Sequence, residues 1–173
     1  MAEDSVIAAA RFGLGRAQTA VLPRHELGLA HENLSRAFEY YASAGNTAKI
    51  VAIAFEFYAP QLSEYGLRTG GLVEKALELV PADSLDTGRL HAYRGSIHGL
   101  GQGDFQSARD SLDRTLIVAR QEGNSALEIR ALITSAQLES WNNHFEDGLA
   151  YGLTAIEKAV AASDLRGEVT ARY

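Results

Sequence analysis

The chain contains no cysteine, which excludes disulfide staples, thiolate zinc sites and thiol nucleophiles. Its absence also fits a cytoplasmic setting. Proline is scarce, at positions 23, 60 and 81 only, so long stretches can run as uninterrupted helix. No segment approaches the roughly 20 apolar residues that span a bilayer. Glu3 and Asp4 stand near the start, where a signal peptide carries positive charge instead. A cytoplasmic chain with no membrane partner is expected. Basic charge is also short: the net charge is −6 and the pI about 5.3. That leaves no footprint for a phosphate backbone, so no direct nucleic-acid binding is expected of these residues.

What is present is ordinary globular material. Hydrophobic residues make up 46% and charged residues 22% of the 173 positions, enough for one domain with a real core. The apolar spacing is helical nearly throughout. Leu27, Ala30, Leu34, Phe38 and Tyr41 advance in steps of three or four, and Gly45 closes that helix. Ala48 to Tyr58 is apolar almost all round, which predicts a buried helix ended by Pro60. Residues 63–71 hold three glycines and few apolar anchors, and read as a loop before a short helix, Leu72 to Val80. Asp83 or Asp86 is placed to cap the next helix, which runs to about Leu100.

Turn chemistry then recurs. Asp104 can cap the helix behind Gly103, and it carries Phe105, Ala108, Leu112, Leu116 and Ala119 on one face. Gly123-Asn124-Ser125 ends it, and Ser125 with Glu128 fits a capping box for a helix to Trp141. Asn143 would cap the last full helix, whose stripe is Phe145, Leu149, Leu153, Ile156 and Val160. Beside it run Gly148, Gly152, Ala155 and Ala159, small enough for a second helix to approach closely. Asp164 to Tyr173 reads as the capped start of another helix.

Catalytic and ligand motifs are weak. Gly13-Leu14-Gly15-Arg16 has two glycines of a phosphate loop but no preceding strand, third glycine or lysine. The plainer reading is a break between helices. His91 and His98 are seven apart, two turns along a helix, whereas a zinc pair on one helix wants three or four. Gly95-Ser96-Ile97-His98-Gly99 comes nearest to a nucleophile elbow, without its strand-to-helix context. Its small residues more simply permit close packing. Tyr40, Tyr41, Phe55, Phe57 and Tyr58 form an aromatic group that is either core or the lining of a ligand pocket. No enzyme activity, cofactor or metal site is expected.

Aligning Gly103-Asp104-Phe105 with Asn143-His144-Phe145 gives an offset of 40 positions, under which Ala108 falls on Gly148, Leu116 on Ile156 and Ala119 on Ala159. An earlier copy begins at Gly45-Asn46-Thr47. Gly103, Asp104, Phe105, Ala108 and Leu112 resemble the turn and second helix of the tetratricopeptide repeat. The first-helix signature is replaced by Ala92, Gly95, Ser96 and Gly99, and the period exceeds the usual figure of about 34. The order of elements, with Leu72-Val73-Glu74-Lys75-Ala76-Leu77 and Pro81 between helix pairs, is similar to the helical-repeat region of large bacterial signal-transduction ATPases. These include LuxR-type, maltose-activator-like transcriptional regulators and their cyclase-linked homologues. The resemblance implies an all-α superhelix of antiparallel helix pairs in one domain. Residues 1–26 would be an N-terminal helical segment and residues 27–173 the divergent repeats, together excised from a longer regulator.

Such arrays present a concave face lined by the first helix of each pair. Leu90, Tyr93, Ile97, Arg130, Ile133 and Gln137 are the expected lining, with Trp141 as a possible anchor. The expected partner is a protein segment or an adjacent domain of the same regulator. The alternative is a small-molecule sensor with its ligand held between helices near the aromatic group.

Overall fold

A computed structural model describes residues 2–56 and 63–172, and the described residues form helices and no strand. The chain divides into two compact units, Met1–Val80 and Pro81–Tyr173.

The first unit contains α1 (Ala2–Val21), a one-turn 3₁₀ helix (Arg24–Glu26), α2 (Leu27–Ser43), α3 (Thr47–Phe55) and α4 (Ser63–Leu79). The break expected at Gly13–Arg16 does not occur, since α1 runs straight through it. Gly15 has a packing reason instead. A Cβ there would lie 2.6 Å from Leu34 Cγ and 3.3 Å from the Ala30 carbonyl oxygen, so only glycine lets α2 come this close. The α2 stripe is buried as its spacing predicts, from Leu27 through Ala30, Leu34 and Phe38 to Tyr41. In α3, Ile50, Val51, Ile53 and Ala54 are all buried, and the apolar run is a core helix. Tyr58 and Pro60 lie outside the described residues.

The loop expected over residues 63–71 is instead the first half of α4. A glycine in a helix costs about 1 kcal/mol against alanine but forbids nothing. No proline interrupts residues 63–80, so the helix anchored by buried Leu72, Val73 and Ala76 extends back through the glycines.

The second unit contains α5 (Leu85–Ser96) continued by a π-helical turn (Ile97–Gln102), then α6 (Phe105–Gln121), α7 (Ser125–Trp141), α8 (Phe145–Ala161) and α9 (Leu165–Arg172). Helices α5 to α9 begin at Leu85, Phe105, Ser125, Phe145 and Leu165, a spacing of 20 residues at every step. Helices α6, α7 and α8 each have 17 residues, so three residues remain for each turn between them. One hydrogen-bonded turn fills that space each time. Gly123 and Asn143 adopt left-handed φ values of 60° and 64°, and Ser163 follows at 55°. The next N–H then reaches back five residues, Asn124 to Ala119, His144 to Glu139 and Asp164 to Ala159, at 2.8–2.9 Å. This is the Schellman closure, which satisfies carbonyls that the helix end leaves open. Gly45 and the Asn46-to-Tyr41 bond repeat it between α2 and α3.

These turns also decide the caps. Asn124, not Ser125, is the N-cap of α7, accepting from the Leu127 N–H at 3.0 Å. Ser125 is already the first helical residue, and Glu128 is engaged elsewhere. Asn143 occupies the left-handed position, which leaves His144 as the N-cap residue of α8. Ser84 caps α5 rather than Asp83 or Asp86, accepting from the Thr87 N–H at 3.2 Å. Asp86 lies inside the first turn, where its charge favours the helix dipole. Asp104 does cap α6, and hydrogen bonds from the Ser107 side chain and N–H hold its carboxyl below the usual range.

Asn124→Ala is expected to lower the unfolding free energy by about 1 kcal/mol, while Ser125→Ala stays within about 0.5 kcal/mol of wild type. Urea denaturation of the two variants checks which residue caps the helix.

Candidate functional site

The second unit is tied together through α7. Near its start, buried Glu128 takes a 2.9 Å hydrogen bond from Arg120 Nε at the end of α6 and a 3.0 Å contact from Lys158 Nζ near the end of α8. Near its other end Glu139, only 1% exposed, receives a 2.8 Å hydrogen bond from His144 Nδ1 and lies 3.6 Å from Arg109 Nε near the start of α6. Each glutamate thus bridges the chain before α7 to the chain after it, and the pairing of starts with ends sets α7 antiparallel to both α6 and α8, which run parallel to each other. Burial opposes the charge on Glu128. The hydrogen bonds from Arg120 and Lys158, and their positive charges, outweigh it and hold the carboxyl below its ordinary value.

Between α7, α8 and the end of α9 lies an open groove of about 590 Å³. One wall is Ile133, Ala136, Gln137, Ser140 and Trp141 of α7, and the floor is Gly148, Gly152 and Ile156 of α8. Phe145, Leu149 and Leu153 form the other wall, and Thr170, Ala171 and Arg172 close one end. Trp141, Phe145, Leu149 and Leu153 are each between 57% and 67% exposed. The α7 helix can lie close to this floor because α8 is small there. A Cβ on Gly148 would come within 2.5 Å of Ser140 Oγ, and Ala155 and Ala159 are fully buried.

The expected lining residues therefore separate into two sets. Ile133, Gln137 and Trp141 meet in the groove, and Arg130 is exposed one turn before Ile133 on the same line of α7. Leu90, Tyr93 and Ile97 are buried core residues and form no part of an open face. Gly88, Gly95 and Gly99 lie on the other side of α5, where added Cβ atoms would lie within 3 Å of Val118, Leu112 and Leu138 side chains. Buried residues thus occupy both sides of this helix.

The residues that spacing alone missed are on α8, whose stripe reads as ordinary core. The 40-residue offset sets α8 on α6 position by position, and it gives a sharper signal. Arg109, Asp113 and Arg120 of α6 correspond to Leu149, Leu153 and Val160 of α8. In α6 the edge is charged, with Arg109 held near Glu139 and over the Phe105 ring. In α8 the same edge is apolar and exposed.

The other candidates are absorbed into the structure. Ser96 Oγ donates to the Ala92 carbonyl at 3.1 Å inside its own helix. Among the described residues no three His, Asp or Glu side chains are grouped to hold a metal ion. Tyr41 is buried and meets Tyr40 edge-on at 5.4 Å, Phe55 is half-buried, and Phe57 and Tyr58 lie outside the described residues. No described helix is long and apolar enough to cross a membrane. No protein-family model matches the chain, and no curated protein matches it.

Because the folded value of Glu128 is depressed, its stabilising contribution is complete above the unfolded value of about 4.3 and is lost as pH falls through the lower folded one. The stability difference between wild type and Glu128→Gln is therefore expected to be largest near neutrality and to shrink below about pH 4. Urea unfolding across that range checks it.

Proposed function

We propose that this chain is a protein-docking module built from tetratricopeptide-like helix pairs, and that the α7–α8–α9 groove receives a segment of a partner protein. One observation carries the reading: the edge of α8 replaces Arg109, Asp113 and Arg120 of its repeat counterpart with Leu149, Leu153 and Val160, and leaves them exposed. Stacking α6 on α7 needs no apolar residue at those positions, so repeat packing does not account for the leucines. Contiguous exposed apolar surface with large aromatic members marks an interaction site. The open shape favours an elongated occupant, since small-molecule sites enclose most of their ligand. The 20-residue helix spacing and the recurrent turn support the repeat assignment.

The resemblance to bacterial signal-transduction ATPases extends the proposal. Docking in the groove would act within a larger regulator, shifting the activity of an attached ATPase or output module.

Selection of a random peptide library on the wild-type chain, with counter-selection on Leu149→Asp, tests the reading. Helix-forming peptides are expected to be enriched, and their affinity should fall at least about tenfold on the variant. Leu149 is exposed, so that variant should keep its stability within about 0.5 kcal/mol. An empty selection, or peptides indifferent to Leu149, refutes the assignment.

A further inference from the structure

We draw no further inference here: the strongest candidate, the exposed apolar face of α1 on which Ile7, Ala10, Leu14, Ala17 and Val21 recur in steps of three and four, carries nothing because nothing among the described residues shows what covers it.

Discussion

The second unit depends on one constraint, a three-residue turn that takes the same hydrogen-bonded form at the ends of α6, α7 and α8. A left-handed residue closes each helix with a backbone bond reaching five residues back. The turn fixes where the next helix starts, and a constant helix length of 17 residues then repeats the geometry every 20. Helices of equal length joined this way lie side by side with their ends level. That is why Arg120 can meet Glu128 across one turn and His144 can meet Glu139 across the next. The glutamates are buried while their basic partners are about half exposed, so solvent screens the pairs and each bridge contributes less than a fully buried one. These bridges therefore hold the helices in register as much as they stabilise them.

The groove follows from the same regularity. A repeat presents each helix with a face that the following pair covers, and α6 is covered by Leu138 and Glu139 of α7. On α8 the corresponding positions became smaller on the floor, where Gly152 replaces Leu112, and more apolar on the edge, where Leu149 and Leu153 replace Arg109 and Asp113. Both changes point the same way: a close-packed, water-excluding contact in place of a charged, half-solvated one. Trp141 and Phe145 stand at the turn between the two walls. Residues of this kind carry most of the energy in protein interfaces.

Much of the helical pattern was legible from the chain. The α2 and α6 stripes, the buried α3 run, the left-handed Gly45, the turns at Gly103 and Gly123, and the Asp104 cap all followed from spacing and turn chemistry. Misreadings arose where two local rules competed. Glycines argued for a loop across residues 63–71, yet helix continuity prevailed in α4. Ser125 with Glu128 fitted a capping box, yet Asn124 took the cap and Glu128 was committed to Arg120 and Lys158. Leu90, Tyr93 and Ile97 of the expected binding face proved to be core, because α5 is buried on both sides, on theirs as well as on the Gly88–Gly95 side that meets α6.

The sequence by itself determined that the chain is helical and where the turns fall, because helix periodicity and turn residues act over a few neighbouring positions. It also contained the exchange of Arg109 and Asp113 for Leu149 and Leu153, since the 40-residue offset is a property of the letters alone. Only the tertiary structure decided which apolar stripe faces solvent. The α6 and α8 stripes look alike along the chain, and burial depends on whether a second helix lies across them, which no local pattern encodes.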